Sequence, residues 1–250
     1  MELSPRELQR YDRHLLLPQI GKEGQERLKK SSVLCIGAGG LGSPAALYLA
    51  SAGVGRIGIV DADQVDLSNL QRQILHDEPS IGLAKTVSSA RRLEAVNSDV
   101  HVEQHEKRLV AANAVELFSH YDLILDGSDN FPTRFLANDT AFLTGTPLVS
   151  AAIFQFEGQL TVFSGTKESP CYRCLLPEPP PPGTVPNCNE AGVIGALTGV
   201  VGTLQAMEAL KVLLGLGEPL VGSMLHYDAL RTRFNSIKLP KNPSCALCGS

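Results

Sequence analysis

The sequence has no surplus of positive charge. Its 22 lysines and arginines are outnumbered by 26 aspartates and glutamates, and the net charge of −4 argues against a general nucleic-acid binder. It lacks a signal-peptide pattern: the opening MELSPREL is polar and helical, so a cytoplasmic protein is expected. It also lacks a clean membrane span. The one long apolar segment, Ala196–Leu216, is interrupted by Gln205, Glu208 and Lys211 at three-residue spacing, which puts them on one helix face and predicts a buried core helix. There is no internal repeat. No Ser–His–Asp arrangement or catalytic-histidine motif stands out, which is awkward for a hydrolase. Cysteines are few, six in 250 residues, and four of them form two C-x-x-C pairs. That pattern suits metal binding in a reducing compartment better than a disulfide framework. The hydrophobic content of 43% is ordinary for a soluble protein, and the length allows one large α/β domain or two small ones.

What is present is organised around Val33 to Arg72, VLCIGAGGLGSPAALYLASAGVGRIGIVDADQVDLSNLQR. The apolar run Val33–Ile36 predicts a strand, and Gly37, Gly39 and Gly42 follow it in G-x-G-x-x-G spacing. A second apolar run, Ile57–Val60, delivers Asp61. In such a strand–turn–helix site the glycines let backbone approach phosphate, and the helix N-terminus supplies free N–H groups and a positive dipole. An acid after the second strand can take ribose hydroxyls, the role expected of Asp61. On the glycines alone a tight turn without ligand is the alternative; the second strand and Asp61 favour a nucleotide.

Ser4-Pro5-Arg6-Glu7 is a capping box with proline at the first helical position, so a helix is expected through Arg10 and Arg13. Arg10, Arg13 and His14 at its end either complement the helix dipole or contact phosphate. A second short helix ends over Gln25–Lys30, and the helix Pro44–Ala52 closes at Gly53. After Asp61 and Asp63, a plain dinucleotide fold would run straight into helix; instead Asp66-Leu67-Ser68-Asn69-Leu70-Gln71-Arg72-Gln73 is a loop rich in hydrogen-bonding groups. Gly82–Val96 reads as the next helix, with Lys85 in a first turn that the dipole disfavours for a cation, which points to a ligand contact or to simple solvation. Asp99–Arg108 reads as a strand, Ala111–His120 as a helix, and Tyr121–Asp126 as an apolar strand meeting Gly127-Ser128-Asp129-Asn130. Because ligands gather at the carboxyl ends of strands in open α/β sheets, Asp129 and Asn130 are expected to face the same crevice as Asp61, or else to cap the helix near Phe131. Strands follow at Pro147–Ile153 and Gln159–Phe163, then the proline-rich Pro177–Pro186, which suits a crossover loop or cover, and closing strands at Ser223–Tyr227 and Arg233–Leu239.

Cys171-Tyr172-Arg173-Cys174 and Cys245-Ala246-Leu247-Cys248 have no histidine partner nearby. Together they make the closed four-thiolate pattern of structural zinc, pinning the C-terminal tail to the middle of the chain. A redox C-x-x-C is the rival, but two copies outside a thioredoxin-like context speak against it. Cys35, inside the first strand, is expected to be core packing.

GAGGLG, VDAD, SNLQRQ, the lysine of GLAK, DGSDN, the CYRC and CALC pairs and the NCNEAG segment together resemble the MoeB/ThiF/HesA family, bacterial relatives of the ubiquitin-activating enzymes, over essentially the whole chain. The resemblance implies a Rossmann-like, doubly wound, mostly parallel sheet continuing into an antiparallel C-terminal part. It implies one domain over 1–250, with a nucleotide-binding half over about 1–150 and a carrier-docking and zinc half over about 151–250. The family adenylates the C-terminal glycine of a small ubiquitin-fold sulfur carrier with ATP and magnesium, and the likeness is nearer to the molybdopterin-synthase branch than to the thiamine branch. Its members are typically homodimers in which an arginine reaches into the partner's site; by motif position that arginine is Arg13. Gly40, Asp61, Asn69, Arg72, Lys85 and Asp129 match the nucleotide and metal contacts, with Gly39, Asp63, Ser68, Gln71 and Asn130 beside them and Asp129 as the magnesium ligand. In relatives a cysteine at the place of Cys188 can link covalently to the carrier, or it is dispensable because the adenylate itself is the product. The chain stops after Cys248, so sulfur is expected from a separate sulfurtransferase or cysteine desulfurase.

The chemistry of the residues agrees. A carboxylate nucleophile is already ionised at neutral pH and needs no general base. The difficulty is to bring one anion onto the α-phosphorus of another, so catalysis reduces to positioning and charge neutralisation by Arg72, Lys85 and a donated Arg13. Two rival readings compete with this one. A nicotinamide-dependent oxidoreductase would explain the glycines and Asp61 but leaves Arg72, Lys85 and Asp129 without purpose; a non-catalytic docking module would not need those three intact.

Overall fold

The computed structural model describes residues 2–181 and 192–249; Cys188, and the proline-rich stretch from residue 182 onward, lie outside them. One eight-stranded sheet organises the chain, in the order β3-β2-β1-β4-β5-β6-β7-β8. Its first five members are parallel: β1 (Ser32–Ile36), β2 (Arg56–Val60), β3 (His101–His105), β4 (Leu123–Asp126) and β5 (Leu148–Phe154). The remaining three, β6 (Glu157–Phe163), β7 (Ser223–Asp228) and β8 (Arg233–Lys238), run antiparallel. The fold expected from sequence is therefore the one observed.

The strands β1 and β4 are buried on both faces, and their alternation divides the core in two. Val33, Cys35, Leu123 and Leu125 join α4 (Gly42–Ala52), α5 (Lys85–Val96) and α9 (Gly195–Leu214) on one face. Leu34, Ile36 and Ile124 join α6 (Ala111–Ser119) and α7 (Phe131–Thr144) on the other. Cys35 is fully buried, and burial pushes its thiol up to about 12, so it is packing, as its place in the strand suggests. The helix α9 is long and apolar enough to cross a membrane, yet Leu197, Val201, Ala209 and Leu213 are buried in this core. Gln205, buried on the same helix, donates from Nε2 to the Asp126 carbonyl at 2.8 Å. α9 is a core helix.

Three expectations shift. The N-terminal helix is broken: α1 (Pro5–Arg10), with its capping box, and α2 (Asp12–Leu15) meet at Tyr11, whose buried ring inserts where a Cβ on Gly53 would come within 2.4 Å of its hydroxyl. α3 (Gly21–Lys30) then leads to β1. The helix expected from Gly82 begins only at Lys85, because the preceding residues close a loop: Gly82 and Leu83 pair with Val65, and the Lys85 N–H donates to the Asp63 carbonyl at 2.9 Å. The strand expected over Asp99–Arg108 is confined to the five residues of β3, the edge of the sheet.

Gly42 shows why the third glycine of the loop is needed. A Cβ there would lie 2.0 Å from the Gly37 carbonyl oxygen, so helix α4 could not begin so close to β1. Gly42→Ala is expected to lower the unfolding free energy by about 3 kcal/mol, measured by urea denaturation; an unchanged midpoint would show that the backbone absorbs the methyl.

Candidate functional site: a cation-lined crevice and a four-cysteine knuckle

The loop after β1 turns at Gly37, where φ is +87°, and its N–H donates to the Val60 carbonyl at the end of β2. Asp61 follows directly. Its Oδ2 accepts from the Ala38 N–H and its Oδ1 from the Asp63 N–H, each at 2.9 Å. The Ala38 carbonyl accepts from Nε2 of buried His76 at 3.0 Å and from Ser43 Oγ at 3.3 Å. A Cβ on Gly39 would meet nothing closer than the Gln73 amide nitrogen at 3.8 Å; this glycine keeps open a space that the fold itself does not fill.

Around that loop lies a crevice of about 1040 Å³ at the carboxyl ends of β1, β2, β4 and β5. That is the upper end of the ~300–1,000 Å³ usual for ligand pockets. Gly39, Gly40, Asp61, Asp63, Arg72, Lys85, Asp129 and Asn130 line it. Lys85 has only 8% of its side chain exposed, and its ammonium sits 3.0 Å from Asp63 Oδ2. Its place at the start of α5 is held by this ion pair, which offsets an unfavourable dipole. Arg72 donates to the Ser68 carbonyl at 3.1 Å. Asn130 is the cap of α7, accepting from the Thr133 N–H at 2.9 Å, whereas Asp129 is exposed and caps nothing.

Four other residues stand elsewhere. Ser68 and Asn69 build a short turn with Asp66: Ser68 donates to the Asp66 carboxylate, and Asn69 Oδ1 accepts from the Asp66 N–H. Gln71 is exposed beside Arg72 but does not reach the crevice wall. Arg13, with 88% of its side chain exposed, contacts Asp12 at 3.8 Å and does not line this chain's crevice. Of its neighbours, Arg10 donates to the Val96 carbonyl at the end of α5, and His14 Nδ1 bonds the Gln25 amide.

Sequence reasoning passed over Lys107, Arg108 and Arg134, which add positive charge to the wall. It also passed over Asp126, fully buried at the end of β4, which accepts from the Ser128 N–H and Oγ and from Ser150 Oγ. The Arg134 Nε lies 3.7 Å from Asp126, and its Nη2 donates to the Ser128 carbonyl, so the loop presenting Asp129 is braced from below. An arginine four places beyond a helix cap, following a strand-terminal aspartate, was the available signal.

The four cysteines converge. All their sulfur atoms lie within 4.8 Å of one another, with Cys171 Sγ 3.6 Å from Cys245 Sγ and Cys174 Sγ 3.3 Å from Cys248 Sγ. Tetrahedral Zn–S bonds of ~2.3 Å place sulfurs about 3.8 Å apart, so the cluster could hold a metal such as zinc. The Asn242 N–H donates to Cys174 Sγ at 3.4 Å, as expected of an outer contact to a thiolate. Between the first pair, on the short helix α8 (Tyr172–Leu175), Arg173 forms a two-bond ion pair with Asp139, and Tyr172 packs edge-on to Phe135 and Phe163 while lining the crevice.

The chain thus builds a doubly wound nucleotide-type fold with a cation-lined crevice at its switch point, fastened by a four-cysteine knuckle. The model of the ThiF family matches residues 11–247, and the chain belongs to that family. It is 53% identical over 253 residues to the sulfur carrier protein adenylyltransferase of Thermus thermophilus, covering all of this chain and 93% of that protein. It is 51% identical to the probable adenylyltransferase/sulfurtransferase MoeZ of Mycobacterium tuberculosis, covering 97% of this chain and 62% of that protein. Against the adenylyltransferase and sulfurtransferase MOCS3 of Anopheles gambiae the identity is 50%, over 99% of this chain and 56% of that protein, so the chain spans little more than half of these longer relatives. Among solved structures, E. coli MccB with MccA-N7isoASN superposes with a TM-score of 0.85 at 22% identity, over 96% of this chain and 75% of that one. At that identity the likeness concerns the fold alone.

Cys245→Ser is expected to lose bound metal and thermal stability together, read by metal analysis and by melting. Wild-type protein purified without zinc and melting unchanged by a chelator would overturn the metal assignment.

Proposed function

We propose that this protein uses ATP to adenylate the C-terminal glycine carboxylate of a small ubiquitin-fold sulfur-carrier protein, releasing pyrophosphate. The observation that carries the reading is the meeting of Arg72, Lys85 and Asp129 in one crevice with the bare Gly39–Gly40 backbone. An oxidoreductase would need only the glycines and Asp61, and a docking module would need none of these charges buried or braced.

The carrier's carboxylate oxygen attacks the α-phosphorus, an acyl–phosphate bond forms, and the bond to pyrophosphate breaks. The nucleophile is ionised at neutral pH, so the protein's work is to neutralise and align. Arg72, with a planar guanidinium suited to phosphate, and Lys85 would hold the phosphates and take up developing charge. Asp61, with both oxygens already fixed by backbone N–H groups, keeps further lone pairs for ribose hydroxyls. The exposed Asp129 carboxylate, in no ion pair among the described residues, fits magnesium, which takes few carboxylates together with phosphate oxygens. Magnesium would supply charge neutralisation on the phosphates. The knuckle is read as structural zinc, since four thiolates leave no open position. Arg13, away from its own crevice, is read as reaching the crevice of a second copy in a homodimer. The molybdopterin-type carrier is put first on the sequence resemblance, the thiamine-type second, with sulfur supplied by a separate sulfurtransferase or cysteine desulfurase in the cytoplasm. Cys188 keeps both of its readings, covalent link to the carrier or bystander.

Carrier-dependent exchange of labelled pyrophosphate into ATP tests the reading against a panel of purified carriers. Arg72→Ala and Asp129→Ala are each expected to lower exchange about 100-fold or more with an unchanged far-UV spectrum and elution volume. Retained exchange would refute those roles, and NADH binding without exchange with any carrier would favour the oxidoreductase. Gly39→Ala is expected to melt like the wild type but to weaken ATP binding about tenfold, by calorimetric titration.

A further inference from the structure

The reaction proposed above leaves a buried titratable group behind the crevice wall without a task. His76 closes the loop that carries Arg72, and it is buried. Its Nδ1 lies 2.9 Å from Ser88 Oγ on α5, and its Nε2 lies 3.0 Å from the Ala38 carbonyl oxygen in the glycine loop. A carbonyl oxygen only accepts, so Nε2 must carry the proton. Nδ1 of the neutral ring then accepts from the Ser88 hydroxyl. Burial pushes the imidazole pKa below its ordinary value; nearby Lys85 acts in the same direction, while the Ala38 carbonyl, Asp61 and Asp77 oppose it. The ring is therefore neutral at neutral pH, with its tautomer set by the loop it holds.

The consequence lies in the peptide unit itself. The Ala38 carbonyl and the Gly39 N–H belong to one planar trans peptide, so they point in opposite directions. His76 and Ser43 draw the carbonyl toward the protein interior, and this turns the Gly39 N–H the other way. Gly39 lines the crevice, and its N–H finds no hydrogen-bond acceptor among the described residues. The preceding peptide is held independently, because Asp61 takes the Ala38 N–H. Both faces of Ala38 are thus fastened, and the Gly39 N–H, fixed in direction by that peptide, is left aimed at the ligand space.

We infer that His76 is a positioning residue: by holding the Ala38 carbonyl it aims the Gly39 N–H at a phosphate group of the bound nucleotide. The inference rests on the nucleotide reading of the crevice. It makes the segment after Asp61 serve twice, since the stretch that supplies Arg72 also sets the glycine loop. Its contribution is to anion binding, not to the nucleoside.

The test is calorimetric titration of the 250-residue protein with ATP and, separately, with adenosine, for the wild type, His76→Phe and His76→Gln. Glutamine places an amide N–H near the position of Nε2; phenylalanine fills the space without a donor. Phe is expected to weaken ATP binding about tenfold, the effect of losing one aimed hydrogen bond, while adenosine binding stays within about twofold and Gln restores most of the ATP affinity. Undiminished ATP binding by the Phe variant, an equal loss for adenosine, or a Gln variant no better than Phe would overturn the inference. Should the Phe variant fail to fold, nitrogen NMR of the wild-type imidazole decides: the Nε2–H tautomer between about pH 6 and 8 supports the clamp, and the Nδ1–H tautomer sinks it. A wild type that binds ATP as described but exchanges no pyrophosphate with any carrier would remove the proposed function separately, whereas a wild type that binds no ATP would remove both.

Discussion

Strands β1 and β4 lie side by side, yet the helices that follow them depart to opposite faces of the sheet, α4 into one core and α7 into the other. Two chains leaving adjacent strand ends in opposite directions cannot close over the edge between them, and the gap is where a ligand fits. The glycine loop and the carboxylates reach that gap from strand ends or the turns after them, while Arg72 and Lys85 enter from the long loop after β2 and the start of α5. The glycine loop follows β1, Asp61 and Asp63 follow β2, Asp129 follows β4, and the crevice floor continues past β5. The constraint is topological before it is chemical.

What the gap contains is a balance of charge held in place by neighbours. Lys85 is anchored by Asp63, and Arg134 stands beside buried Asp126. Cations fixed by carboxylates in this way retain less conformational freedom to lose when a polyanion arrives. The backbone is treated likewise, with Ala38 fastened through both its N–H and its carbonyl. Helix α9 presses on the same region from the other side: a Cβ on Gly195 would lie 2.1 Å from the Gln71 carbonyl oxygen, so the chain that bears Arg72 has little room to move.

Much of this was legible in the residues because the signals are local. A strand followed by spaced glycines, an acid ending the next strand, and paired cysteines each depend on a few adjacent positions, and each stands where expected. Element ends were harder. Lys85 starts its helix three residues late because residues 82 and 83 pair back across a loop with Val65, a contact no periodicity reports. Tyr11 interrupts an otherwise well-patterned helix because its ring has a buried place beside Gly53. The bracing residues escaped for the same reason. His76 and Arg134 look like ordinary polar residues in sequence, and their importance comes from what the fold sets opposite them. Conversely, Ser68 and Asn69 are drawn to their own turn, where a short side chain satisfies nearby backbone more readily than it reaches a distant ligand.

The knuckle carries a further consequence, one of timing. Cys171 and Cys245 stand 74 positions apart, and the turn between the first two cysteines bears Tyr172, part of the crevice wall. At about 5–20 residues per second, a ribosome takes several seconds to deliver the second pair after the first. Throughout that interval the first pair lacks its partner cysteines, and the aromatic wall is held by the Arg173–Asp139 ion pair and the packing of Tyr172 on Phe135 and Phe163. The chamber is thus among the last parts of the molecule to be completed, although the strands that frame its mouth are among the first to emerge.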